Sequence, residues 1–522
     1  MPVYERSFVK GLPAETDFIV VGAGVAGLRA AIELADAGRV LLLEKKDASA
    51  EPAAALSDEE EVILHLQDTL IAGDGLCLPQ AVKTLVDEGP ERIEEVIAWS
   101  KADKHKSKLT FDTEASYSHS HVLRSNGDAM GTEILRALQM KARSNKNISV
   151  HGFEFVSELR VEDQRVLGAS LIGDKGLPEE VTCSAVLLAT GGLGQIYRNT
   201  TNAETATGDG VAMAFRAGAE VSDMEFVQFH PTALYMKKTP HFILPEALRR
   251  EGAHLRNIEM DRFMGKYHPL GETAPADVVA RAIMHEMEVS RARDPFIYLD
   301  MTHMNGAKVQ KRFPRVYATF MKHNIDLTED MIPVRPAAHF AIGGVRTDLD
   351  GKTNLAGLYA AGEVAATGVH GANRLPSNAL LEGLVYGARA GRAMREELKE
   401  VRKPAIREKR VASQNGPVDA GMEEVIGQIQ DVMWKNAGIV RMRTGMQEAI
   451  KMLEGIAPRV AHPRTRRGYE AANLHATALL VARAALAREE SRGAHYRIDC
   501  PVQDDRKFGK HSVIQGERVR FV

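Results

Sequence analysis

The chain has 522 residues, enough at roughly 150 per domain for two to four domains around a substantial core. Its 67 basic and 70 acidic residues leave a net charge of −3, which excludes the one-signed field of a nucleic-acid or anionic-membrane binder and suits a small polar substrate. Cys77, Cys183 and Cys500 are too few and too scattered for a disulfide framework or a zinc site, so a reducing, cytoplasmic setting without a metal is expected.

Met1 to Thr16 mixes charges with a proline and lacks the basic start and apolar core of a secretory signal. The longest apolar runs fall far short of the roughly 20 residues that span a bilayer, so no membrane partner is expected. The first strand is predicted at Phe18 to Val21, followed by Gly22-Ala23-Gly24-Val25-Ala26-Gly27, an Ala-rich helix from Leu28 to Ala37 and a second strand from Val40 to Leu43. In such a unit Gly22 makes the tight turn, Gly24 lets a pyrophosphate approach the backbone, and Gly27 lets helix and strand pack closely. Glu44, closing the second strand, is placed to bind ribose hydroxyls, and Lys45 follows it. The acidic run Asp58 to Glu61 reads as a solvated helix start.

Two further apolar runs end in glycine: Val186 to Ala189 before Thr190-Gly191-Gly192, and Leu358 to Ala361 before Gly362-Glu363. A cofactor built of two nucleotides needs such distant contacts, and Glu363 could accept hydrogen bonds from a ribityl chain, so FAD is expected rather than NAD. Between about Asp223 and Pro336 the pattern changes to mixed charge and aromatics, as for a domain inserted into another. From Arg402 to Gly421 the chain is rich in Pro, Lys, Arg and Gly without apolar period, and from Glu423 to Arg488 apolar residues recur at helical spacing. The expected class is α/β: a discontinuous Rossmann-like FAD-binding domain (1–228 and 340–402), an inserted α+β capping domain (229–339), a linker (403–421), and a C-terminal helical bundle with its tail (422–522).

Asp68-Thr69-Leu70-Ile71-Ala72-Gly73, Gly208-Asp209-Gly210, the stretch from Glu225 to Tyr235 containing His230-Pro231-Thr232, and His370-Gly371-Ala372-Asn373-Arg374-Leu375 together resemble the succinate dehydrogenase and fumarate reductase flavoprotein family over nearly the whole chain. Thr232-Ala233-Leu234-Tyr235, Glu246-Ala247-Leu248-Arg249 and Leu381 to Gly387 resemble its aspartate oxidase branch. The resemblance implies hydride transfer from the Cα of L-aspartate or another C4 dicarboxylate to FAD, oxygen or fumarate as acceptor, a place in NAD biosynthesis and quinolinate synthase as a candidate partner. It implies that Arg374 grips a carboxylate, that His230 and His339 donate to substrate oxygens, and that Glu133 pairs with the substrate ammonium. It also places Glu246 on the cap side of the site, and Asp209, Ala379 and Leu380 at the cofactor. No histidine lies between Lys45 and Leu56, where the dehydrogenase branch carries its flavin-linked one, so the FAD is expected to be non-covalent.

Four departures fall at the expected site. The family reads Ala-Pro-Arg-Asp, its arginine transferring a proton, where this chain has Ala274-Pro275-Ala276-Asp277; alanine has no proton to give. The family's Tyr-Ala-Gln-Gly-Gly-Ile-Ala loop along the flavin is absent, Lys45 running through Asp47 and Pro52 to Leu56. Pro245 replaces a Ser or Thr before Glu246, and Ala379 replaces a serine hydroxyl near the flavin. Impaired catalysis is therefore a competing expectation.

Overall fold

The computed structural model describes residues 11–46, 61–63, 66–101, 109–112, 122–125, 130–172, 178–236, 242–375, 378–400 and 421–522. The shortened flavin loop (47–56), Asp58 to Glu60, nearly all of the linker, and Pro376 with Ser377 lie outside the described residues.

β1 (Phe18–Val21), α1 (Val25–Leu34) and β2 (Val40–Glu44) form the expected strand, turn and helix unit. All four residues of β1 are buried, the continuous apolar run of a parallel strand covered on both faces. The sheet is wholly parallel in the order Leu358–Ala360, Ala185–Leu188, β1, β2, Ile148–Gly152, so strands from distant segments meet as expected. α1 begins at Val25, three residues before the expected Leu28, because Gly24 takes extended backbone angles as its N-cap and the end of the glycine motif forms the first helical turn. Of the run Asp58 to Glu61, expected as a helix start, only Glu61 is described, and it opens a strand, Glu61–Ile63, paired antiparallel with Val122–Ser125, since the β-branched Val62-Ile63 that follow favour a ladder.

The next segment builds an antiparallel sheet from β3 (Val227–Leu234), β4 (His254–Arg256), β5 (Ile297–Asp300) and β6 (Ile332–Ala341), in the order β3, β6, β5, β4. Two short-loop helices belong to it, α2 (Glu246–Arg250) and α3 (Ala276–Val289). Leu234, Leu255, Ile283, Leu299 and Val334 fill a core of its own. The chain then returns to the parallel sheet and runs into α4 (Asn378–Glu400), which packs along α1.

α5 (Met422–Asn436), α6 (Arg443–Val460) and α7 (Arg466–Ala487) make the C-terminal helical bundle, whose apolar faces share one core with the back of the parallel sheet. The tail is not helical throughout: β7 (Ser512–Gln515) and β8 (Arg518–Phe521) form a hairpin that adds to Val221–Ser222. A buried ion pair from Arg488 to Glu225 (2.6 Å) ties this tail to the segment just before β3, and Arg488 also pairs with Glu490 within the tail (2.8 Å). Among the described residues no helix is long and apolar enough to cross a membrane.

Candidate active site

The first half of the site is made of backbone. Gly22 turns with φ +107, a conformation side chains rarely adopt, and a Cβ there would lie 2.2 Å from the Ala189 carbonyl. A Cβ on Gly27 would lie 1.9 Å from the Gly22 carbonyl, so helix and turn touch as the motif requires. At Gly24 a Cβ would meet no atom within 4 Å, and the start of α1 has no side-chain cap, so the N–H groups of Val25 and Ala26 in its first turn have no intrahelical acceptor. The Ala23 N–H donates to Glu44 Oε2 at 2.8 Å, which holds that carboxylate at the end of β2 beside the turn. Thr190 Oγ1 is buried without a hydrogen-bond partner among the described residues, next to Gly191 and Gly192. These groups fit a dinucleotide: helix N–H groups for the pyrophosphate, Glu44 for a ribose, and an unmatched hydroxyl at the neighbouring strand end.

Glu363 Oε1 accepts from the Ala341 N–H at 2.9 Å, and a Cβ on Gly192 would collide with the same oxygen. Burial pushes its carboxyl up to about 7, against the Ala341 hydrogen bond and the Arg374 charge, both of which pull it down. Glu363 thus sits between the Gly191-Gly192 strand end and the end of β6.

The second half is made of side chains. His230 on β3, His339 on β6 and Arg374 from the loop before α4 converge: the two imidazoles lie 5.8 Å apart, edge to face, and Arg374 Nη2 reaches His339 Nε2 at 3.1 Å. Arg374 Nε donates to Gln228 Oε1 at 3.1 Å, and its guanidinium lies 4.5 Å from the Phe340 ring, so the fork is fixed in orientation. The Gln228 amide donates to the Arg374 carbonyl (2.8 Å) and to Asn373 (3.1 Å), closing a ring of hydrogen bonds.

The hydrogen bonds also assign the tautomers. Thr232 N–H donates to His230 Nδ1 at 3.2 Å, leaving the proton of the neutral ring on Nε2. Burial holds His230 well below the ordinary imidazole range, with His339, Arg249 and Arg374 adding to the effect. His339 is lowered to about 3, by burial first and then by Arg374. Because Arg374 can only donate, His339 Nε2 accepts here and the ring proton sits on Nδ1, toward Thr201 Oγ1 at 3.0 Å. His230 therefore presents an N–H, whereas His339 in this arrangement orients Arg374 instead of donating from Nε2.

The remaining expected residues are more scattered. Glu246 opens α2 and pairs with Arg249 (3.3 Å) and Arg250 (3.7 Å); Arg249 is buried and donates to the Glu272 carbonyl at 2.8 Å. Together with Thr273, Ala274 and Pro275 they line a cavity of about 250 Å³. Ala276 is the first residue of α3, directly after that cavity, and the nearby charges do not replace an arginine there: Asp277 and Arg281 pair with each other at 2.8 Å, and Arg281 stacks on Tyr496. Glu133 lies in the first turn of the helix Met130–Arg143, and among the described contacts none joins it to His230, His339 or Arg374. Lys45 and Asp209, expected at the cofactor, form an ion pair (2.8 Å) that Glu470 of α7 joins at 2.9 Å, while Asn473 donates to Asp209 at 2.7 Å. Ala379 and Leu380 form the first turn of α4, where Ala379 packs against the cluster containing Phe340.

Gln228, Thr201 and Phe340 were not singled out from the sequence. Regular strand alternation would put Gln228 on the His230 face, but a bulge between Gln228 and Phe229 interrupts that period. The hold of Thr201 on His339 joins residues 138 apart, for which no local signal exists.

A dinucleotide cradle leading into a buried histidine and arginine pocket defines a flavoprotein oxidoreductase. Residues 17–380 match the FAD binding domain model and 427–521 the fumarate reductase flavoprotein C-terminal model. The chain is 37% identical to L-aspartate oxidase of Synechocystis, over 96% of this chain and 97% of that protein, and 39% identical to L-aspartate oxidase of Streptomyces coelicolor, over 97% and 92%. Among solved structures it is similar to a quinol–fumarate reductase with menaquinol molecules (TM-score 0.83, 28% identity, 97% of each chain) and to Mycobacterium smegmatis Sdh1 in complex with UQ1 (0.82, 29%, 97% and 93%). The chain belongs to the L-aspartate oxidase family, within the succinate dehydrogenase and fumarate reductase flavoproteins, and its cofactor is FAD.

Proposed function

We propose that the protein oxidises L-aspartate to iminoaspartate, with non-covalent FAD as hydride acceptor and oxygen or fumarate as the final oxidant, at the entry to NAD biosynthesis. The observation that carries this reading is the fixed Arg374 fork between Gln228 and His339, with the neutral His230 N–H beside it. FAD, when bound, supplies a two-electron acceptor. Arg374 binds one substrate carboxylate, His339 and Phe340 keep its plane in place, and His230 Nε2–H donates to a carboxylate oxygen. The antiparallel sheet of 229–339, with its separate core, acts as a cap that brings β3 and β6 over the cofactor side and excludes water.

Anaerobic mixing with L-aspartate tests this directly: the flavin absorbance bleaches, and no bleaching over hours would sink the oxidase reading. A second reading, a catalytically impaired relative, is favoured by Ala276 and by the mutual pairing of Asp277 and Arg281. It predicts FAD binding and aspartate binding without bleaching, reversed by Ala276→Arg. A soluble fumarate reductase would instead turn over fumarate with a reduced dye while ignoring aspartate.

A further inference from the structure

On the far side of the cap, β4 is an edge strand, and its first residue, His254, stands directly opposite Asp300, the last residue of β5. Directly opposed residues of an antiparallel pair share a face, so both side chains project to the same side of the sheet. The chain turns immediately after Asp300 and returns His303 over His254, the two rings lying parallel with centroids 3.9 Å apart. One nitrogen or oxygen from each of His254, Asp300 and His303 falls within a common span of 4.8 Å.

The hydrogen bonds leave metal-binding lone pairs on all three. His303 Nε2 lies 3.1 Å from the Gly252 carbonyl, which can only accept, so Nε2 carries the ring proton and Nδ1 keeps its lone pair. His254 Nδ1 is buried and has no hydrogen-bond partner among the described residues. Asp300 has about four acceptor sites; Arg256 Nε takes one (2.7 Å), and the N–H (3.0 Å) and hydroxyl (2.8 Å) of Thr302 take two more, leaving one.

We propose that His254, His303 and Asp300 form a binding site for a divalent transition metal of the zinc and copper class. Two imidazole nitrogens and one carboxylate oxygen are the donor set such ions prefer over magnesium or calcium, and three protein ligands leave a coordination position for water. The parallel stack must open by rotation of the exposed His303 ring, since a metal lies in the plane of each imidazole it binds. Asp300 is already held by Arg256 and Thr302, so it supplies the rigid corner of the site. The site is separate from the flavin and substrate groups: it uses none of Arg374, His230 and His339. It is nonetheless wired toward the cap side, because Glu272 accepts from the Leu255 N–H on β4 at 3.4 Å and its carbonyl accepts from Arg249.

The test uses the full-length, FAD-loaded protein with Cu2+ or Zn2+ alone as probe. Electron paramagnetic resonance of one equivalent of Cu2+ is expected to show two coupled imidazole nitrogens, and Zn2+ competition against a chromogenic chelator is expected to give one tight site. His303→Ala, at an exposed position, is expected to remove one nitrogen coupling and to weaken Zn2+ binding by more than about tenfold, with the thermal transition unchanged. His254→Gln provides the second variant, and the spectrum and affinity respond to it in the same sense. Cu2+ spectra and Zn2+ affinity identical in the wild type and His303→Ala, or no stoichiometric binding at all, would overturn the proposal.

Discussion

The two halves of the active site are held by different physics. On the adenosine and pyrophosphate side, position is enforced by backbone contact: Gly22 against Ala189, Gly27 against Gly22, and a helix start whose N–H groups need no side chain. On the flavin and substrate side, position is enforced by side chains from four distant segments, joined through Gln228, Arg374, His339 and Thr201. Backbone contact tolerates almost no substitution, whereas a side-chain network can lose a member and keep its fold. Three of the departures that the resemblance implies, Pro245, Ala276 and Ala379, are side-chain changes outside the backbone cradle.

Gly27→Val gives the largest expected effect. With even the first carbon placed 1.9 Å from the Gly22 carbonyl, α1 must shift away from the turn, and the purified protein is expected to be colourless. The ratio of flavin absorbance to protein measures it, and a yellow Gly27→Val protein would break the claim that the cradle is set by backbone contact. Arg374→Lys is expected to leave flavin content intact and slow anaerobic bleaching by aspartate on the order of 1,000-fold, because lysine keeps the charge but loses the planar fork. Loss of the flavin together with the rate would mean that the two halves are one unit.

Ala276→Arg runs the other way. Restoring a proton-transferring group at the start of α3 is expected to raise turnover on the order of 100-fold, the low end of what positioned proton transfer contributes. An unchanged rate would show that Glu246 and Arg249, beside the same cavity, or another group already serve that step.

How much of this was legible beforehand follows the same division. β1, β2 and the two distant strand ends could be read because a buried parallel strand is a local run of apolar residues closed by glycine. His230, His339 and Arg374 were named through motifs, yet the roles of the two histidines diverge through contacts no spacing encodes: a bulged strand and a threonine 138 residues away. Lys45 and Asp209 were expected to face the cofactor, and what the local sequence could not show was α7 bringing Glu470 and Asn473 onto the pair. Residues whose partners are backbone neighbours were predictable; those whose partners arrive from another domain were not.

The smallest expected effect separates His339 as a charge-excluding group from His339 as mere packing. Burial, and then the Arg374 charge, lower its pKa from the ordinary imidazole value of 6.5 to about 3 in the folded protein. Between those values the unfolded chain holds a proton that the folded site excludes, so the contribution of His339 to stability is full above about pH 6.5 and is lost as pH falls toward 3. Glu363 opposes it: raised from 4.5 to about 7, it holds a proton in the folded state that the unfolded chain has released, so its contribution falls as pH rises through that window. Wild-type stability therefore mixes slopes of opposite sign between about pH 4.5 and 6.5, with the depressed His230 adding to the His339 slope, and the net curve alone says little. His339→Asn keeps a side chain of polar character at the position but removes the titration. Urea midpoints at constant FAD concentration are expected to fall less steeply on acidification, the slope changing by about 1.4 kcal/mol per pH unit for the single proton. Superimposable slopes would mean that the folded site admits the proton, and that Arg374 does not face His339 Nε2 as closely in solution as the 3.1 Å contact requires.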